Sequence, residues 1–270
     1  MDGMLERIVV FALVGLASGF ISGLFGIGGG IVRVPIFAYL LPLFGVGHSI
    51  LMHVAVGTSI ALVLPSAIAS TRKQYALGNL DLSFYRTWAV GILVGVLVGL
   101  ALLPHASTEV LKVVFALLLV TVGIYVGFIG DRFVIASAPP QGVVKLGVAS
   151  AIGCIAALTG TGGGAIATPT LKAFGMKMEP AIAIASATGL VTGTVATIGA
   201  VLGGWHARGL PSYSLGYVDL AIFAAMLPTI LLAAPIGVRV GKSLSETWLR
   251  RIYTVLLFVI AADLVRKLLT

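Results

Sequence analysis

The chain carries the same glycine break twice. Gly-x-Gly-Gly-Gly-x4-Pro runs from Gly26 to Pro35 and again from Gly160 to Pro169, and each copy follows a long apolar run. Glycine has no side chain and enters the left-handed region freely, so three in a row end an apolar helix and bare its backbone. Within a bilayer, freed N–H and C=O groups persist only against protein or a water-lined cavity. A break of this kind, repeated at fixed spacing before a proline, points to a site. Helix packing through small residues needs them four apart, which is a different pattern.

The surroundings of the breaks are membrane-like. Of 270 residues 59% are hydrophobic and 10% charged, against roughly 25% charged in ordinary soluble domains. Charge-free intervals separate Arg86 from Glu109, Lys112 from Asp131, Lys145 from Lys172, Glu179 from Arg208 and Asp219 from Arg239. Each covers the ~20 residues of a membrane-crossing helix. The net charge of +8 comes from Lys and Arg scattered in short loops, with no basic cluster or arm, so a nucleic-acid partner is not expected. The apolar start, Ile8 to Phe25, differs from a cleaved leader in leading straight into the first motif and in having an internal counterpart. It is expected to be retained.

Ten apolar segments follow in order. Eight are long: about 7–27, 49–70, 83–103, 109–129, 143–159, 180–202, 218–240 and 247–268. Two are short, about 31–44 and 165–174, and read as broken or re-entrant pieces. The polar stretch 130–142, with Pro139 and Pro140, divides repeat one (1–129) from repeat two (143–270). Asp81 and Asp219 open matching segments as helix N-caps, and Gly99 and Gly237 follow them at equal distance. If each short piece returns to the side where its half began, ten Lys and Arg residues collect on one face and five on the other. The positive-inside rule then favours two inverted repeats in one transmembrane domain, with both termini outside. The expected fold is an all-α polytopic membrane protein.

Chemistry is expected where the breaks meet. Short helices starting after Gly28, Gly29 and Gly30, and after Gly162, Gly163 and Gly164, would present free N–H groups and a positive dipole end. A helix end contributes only about 0.3–1 kcal/mol towards an anion. Hydroxyls and a cation would have to add to it: Thr161 in the second motif, Thr58, Ser59 and Ser186 on the following segments, and Arg33. Arg33, alone in an apolar piece, is either a substrate contact or a structural residue. His53 is the one candidate for coupling, set against the commoner role of a core histidine. Gly26, Pro35, Gly160 and Pro169 support the breaks. Gly160-x-Gly162-x-x-Ala165 also matches a dinucleotide fingerprint, but its flanks are membrane helices where that fold needs a strand. Metal-ligand spacing, a nucleophile–base set and intramembrane carboxylate pairs are missing from the sequence, and Cys154 reads as a packing residue. No cofactor or metal is expected. A membrane enzyme acting on a sulfur or lipid substrate and a non-transporting assembly module are the alternatives.

Gly23, Gly26, Gly28 to Gly30, Val34 and Pro35, the stretch Ala55 to Ser59, and the second motif ending at Pro169 resemble the TauE/SafE sulfite exporter family along the whole chain. The resemblance implies a secondary transporter in a bacterial or archaeal cytoplasmic membrane. It would export a small sulfur-containing anion, sulfite or an organosulfonate such as sulfoacetate, from a central site at the two motifs. A homodimer is expected from the size of such transporters. The second half reads Ser186-Ala187 where the first reads Thr58-Ser59, which implies unequal half-sites.

Overall fold

The computed structural model describes residues 2–25, 28–129, 135, 136 and 138–269. Gly26 of the first motif and residues 130–134 and 137 of the expected linker lie outside the described residues. Ten helices stand where ten apolar segments were expected: α1 (Asp2–Phe25), α2 (Gly30–Leu40), α3 (Leu51–Ala76), α4 (Leu82–Leu102), α5 (Thr108–Ile124), α6 (Gly142–Thr159), α7 (Gly164–Ala173), α8 (Met178–Gly203), α9 (Leu220–Ser243) and α10 (Glu246–Leu269). The described strands are a two-residue pair, β1 (Ser214–Leu215) and β2 (Val218–Asp219), in the connection from α8 to α9.

Local chemistry sets these bounds. The Asp81 carboxylate accepts from the N–H groups of Ser83 and Phe84, and that of Asp219 from Ile222, so both aspartates cap helices as their positions predicted. Ser107 caps α5 in the same way. Among the described residues, seven helices are long and apolar enough to cross a membrane. α10 is also long, but its uncharged stretch runs only from Ile252 to Ala262.

The halves interlock through their helix contacts. α1 packs along α9 and α6 along α4, while α3 meets α8 and α5 meets α10. α2 leans on α3, and α7 on α8. Laying α1–α5 over α6–α10 exchanges α1–α9 with α6–α4 and α2–α3 with α7–α8, and maps α3–α8 and α5–α10 onto themselves. The first helix of each half therefore packs on the fourth helix of the other. Glycines let these backbones touch. A Cβ on Gly95 would sit 1.9 Å from the Ser150 carbonyl oxygen, and one on Gly23 2.0 Å from that of Ala234. Gly99 and Gly237, paired by spacing, do equivalent jobs against Cys154 of α6 and Phe20 of α1.

Side-chain contacts fix the directions of the helices. Arg7 pairs with Asp219, joining the starts of α1 and α9. Lys145 Nζ donates to the Phe84 carbonyl at 3.3 Å and lies over its ring, joining the starts of α6 and α4. His53, near the start of α3, bonds the carbonyl of Leu103 just beyond the end of α4. Asp219 N–H donates to Thr58 of the same helix α3. The starts of α1, α3 and α9 and the end of α4 thus share one face, called here the N-terminal face. The starts of α4 and α6 share the opposite one, a helix length of about 30 Å away. α1 and α6 enter from opposite faces. α2 doubles back towards the start of α1, where Phe37 and Phe44 lie 5.8 and 5.6 Å from the Phe11 ring. Met176, just past α7, joins Leu80 and Phe84 in one apolar cluster near the start of α4.

Close backbone approach makes the α4–α6 seam intolerant of size. Gly95→Leu should lower stability by about 1–3 kcal/mol or more through overpacking. Leu97→Ala, on an exposed position of the same helix, should have a far smaller effect. Thermal unfolding of the two variants in detergent checks this.

Candidate functional site

The two glycine breaks meet inside the bundle. Gly28 and Gly29 have φ of 72° and 73°, and Gly160, Gly162 and Gly163 have 66°, 76° and 78°. All five occupy the left-handed region, where a Cβ is strained. Gly29 precedes α2 and Gly163 precedes α7, and both helices begin with N–H groups that have no intrahelical acceptor. The tips are in van der Waals contact. A Cβ on Gly30 would lie 2.4 Å from the Gly160 carbonyl oxygen, and one on Gly162 2.5 Å from Val63 Cγ1. Pro35 and Pro169 stand inside α2 and α7 instead of ending them.

Carbonyls freed at the tips are held by side chains. Arg33 Nη2 donates to the Gly28 carbonyl at 2.6 Å, Ser59 Oγ to that of Gly160 at 2.9 Å, and Thr192 Oγ1 lies 2.9 Å from that of Gly162. Ser59 links the tips, since its hydroxyl reaches across to Gly160 of the second half while its own carbonyl accepts from Arg33 of the first at 3.3 Å. Arg33 is fully buried, and its Nε and Nη1 have no partner among the described residues. Thr161 shares a 3.0 Å hydrogen bond with Thr159.

Beside the tips lies a narrow pocket whose roughly 260 Å³ of space between atoms includes open solvent, with enclosed room for about one water molecule in this conformation. Its walls are Gly28, Gly162 and Gly164, then Val63, Ser66, Ala67 and Ser70 of α3, then Ala185, Ser186 and Gly189 of α8. No charged side chain lines it. Ser186 Oγ is buried there with no hydrogen-bond partner among the described residues. Ser66 and Ser70 belong to the C-terminal half of α3, so the pocket lies on the side of the tips away from the N-terminal face.

Residues 11–264 match the sulfite exporter TauE/SafE family. The chain belongs to that family. It is also 30% identical to a probable membrane transporter protein of Haemophilus influenzae, over 98% of this chain and all of the relative. A probable membrane transporter protein of Methanocaldococcus jannaschii is 25% identical over 88% of each chain, and one of Bacillus subtilis 20% identical over 95% of this chain and 97% of its own. No solved structure matches the chain. The chain is a membrane transporter of the TauE/SafE family.

In this TauE/SafE protein the expected site residues fall into three groups. Gly28, Gly162, Gly164 and Ser186 line the pocket. Gly29, Gly30, Gly160, Gly163, Arg33, Ser59 and Thr161 form or brace the tips behind it. Thr58 and His53 stand elsewhere. Thr58 Oγ1 accepts from the Asp219 N–H at 2.9 Å, and His53 Nε2 bonds the Leu103 carbonyl at 3.1 Å with its ring 5.0 Å from that of Tyr217. Sequence reasoning missed Val63, Ser66, Ala67, Ser70, Ala185, Gly189 and Thr192. Their signal was present as a helical stripe: from Ser59, positions 63, 66, 67 and 70 return to one side of α3.

On the N-terminal face stands an ion pair absent from that reading. Asp219 is fully buried and Arg7 one-fifth exposed at their contact. Its repeat counterpart, Asp81, is exposed and only caps its helix. Asp219→Asn should therefore cost roughly 2–4 kcal/mol, because Arg7 loses a largely buried partner. Asp81→Asn should cost only a few tenths, since Asn also caps well. Unfolding midpoints of the two variants check the contrast.

Proposed function

We propose that the protein is a secondary transporter that carries a small sulfur-containing anion, sulfite or an organosulfonate such as sulfoacetate, out of the cell across a bacterial or archaeal cytoplasmic membrane. The observation that supports this most is the pocket between two opposed helix breaks, walled by glycine backbone and serine hydroxyls, with a buried Arg33 behind one wall. Glycine amides and hydroxyls are the neutral donors that hold an oxyanion without fixing a metal or a nucleophile. The names of the family and of its relatives support transport over catalysis.

Alternating access follows from the same elements. Residues 1–129 and 143–270 act as inverted repeats within one membrane domain, joined by 130–142, and both termini lie outside. Pocket access is from the face where α4 and α6 start, and the Arg7–Asp219 pair closes the other. Release to the N-terminal face requires that pair and the Thr58 contact to open.

Counterflow of labelled sulfite and sulfoacetate in proteoliposomes tests this reading. Wild type should exchange at least one of the two saturably. Gly163→Leu, which forces a side chain onto a left-handed residue 3.0 Å from Thr188 Cγ2, should abolish exchange while the protein still inserts. Full activity in that variant would remove the tips from the transport site.

A further inference from the structure

Among the described residues, the interior of the bundle holds one positive charge with no carboxylate paired to it. Among the described residues the fully buried charged side chains are Arg33 and Asp219. Asp219 is already matched by Arg7. Arg33 forms no ion pair with a described carboxylate: Gly28 and Ser59 accept its hydrogen bonds through neutral carbonyls. Nε and Nη1 remain without partners. A cation buried in this state is stabilised further by a counter-charge brought close to it.

Arg33 stands behind the pocket wall, not in it. Arg33 holds the Gly28 carbonyl at 2.6 Å, and Gly28 is itself a pocket wall, so one residue separates cation and pocket. The remaining wall is uncharged, and it offers the unpartnered Ser186 hydroxyl from the facing half. The repeat position of Arg33 is occupied by Ala167, so the second half supplies no second cation.

We infer that the pocket selects its substrate by charge number, and takes a tetrahedral or pyramidal sulfur oxyanion bearing a single negative charge. Arg33 and the bound anion then form a neutral set in a low-dielectric interior. A dianion leaves one charge uncompensated, and an uncharged sulfone leaves Arg33 uncompensated. The inference rests on the carrier reading above and narrows it: hydrogensulfite and simple alkylsulfonates are favoured, while doubly ionised sulfite and sulfoacetate, with its added carboxylate, are disfavoured.

Counterflow in proteoliposomes at one mildly acidic pH, where hydrogensulfite predominates and sulfoacetate keeps both charges, separates the cases. Each labelled anion is its own substrate: hydrogensulfite, methanesulfonate, sulfoacetate and methanedisulfonate. The faster of the two monoanions should exceed both dianions in exchange rate by about tenfold or more, the factor that ~1.4 kcal/mol of discrimination gives. A dianion exchanging as fast as the better monoanion overturns charge matching and leaves the carrier reading intact. No exchange of any of the four overturns the carrier reading itself. Arg33→Gln keeps an amide to hold the Gly28 carbonyl but removes the charge, and should lower monoanion exchange by about tenfold or more, with partial rescue by Arg33→Lys. Undiminished exchange in Arg33→Gln would also overturn the inference.

Discussion

A backbone broken inside a membrane has to find partners for its own carbonyls, and the site is built around that requirement. Three tip carbonyls are met by three side chains: Gly28 by Arg33, Gly160 by Ser59 and Gly162 by Thr192. In hydrocarbon an unmet carbonyl costs several kcal/mol, so these contacts stabilise the fold as much as any apolar packing. They also have a directional effect. Carbonyls engaged by donors from behind leave the first N–H groups of α2 and α7 as the unmatched polarity of the tips. The site is what remains when the breaks have been made tolerable.

The halves do not share this work equally. Thr58 and Ser186 hold corresponding places, yet Thr58 accepts from the buried Asp219 while Ser186 stands unpartnered beside the pocket. The difference traces to the aspartates. Asp219 is drawn inward by Arg7 and by the short strand pair, where Tyr217 N–H bonds the Ala200 carbonyl. Asp81 stays at the surface, with only helix N–H groups to hold. One sequence position thus forms an ion pair at one face and stays free at the other.

Much of the architecture was legible because membrane thickness dictates it. Apolar length gave ten segments, and each helix begins and ends within a few residues of its expected bounds, apart from the last turns of α3. The glycine triplets marked the breaks because no other residue occupies consecutive left-handed positions without strain. The site was legible only in part. Thr58 and Ser59 looked like one unit, but neighbours on a helix point about 100° apart, so one faces a tip and the other Asp219. The pocket wall from Val63 to Ser70 was hidden because small and apolar residues stand on every side of α3, at buried positions such as Ser66 and Ala67 and at exposed ones such as Ile68 alike. His53 and Arg7 find partners at distances that no local pattern encodes: 50 residues away at Leu103 and 212 at Asp219.

The pairing of α1 with α9 has a consequence for how such a chain is made. Gly15, Gly19 and Gly23 form a groove filled by α9, through its backbone at Met226, Ile230 and Ala234 and the side chains of Thr229 and Ala233, and the charge on Arg7 waits for an aspartate 212 residues downstream. At synthesis rates of about 5–20 residues per second, α1 remains without its neighbour for roughly 10–40 s. During that interval the membrane-insertion machinery, or lipid, must occupy a seam that the finished protein closes backbone to backbone. Neither half packs its first helix alone, and α1 reaches its place only after α9 has been made.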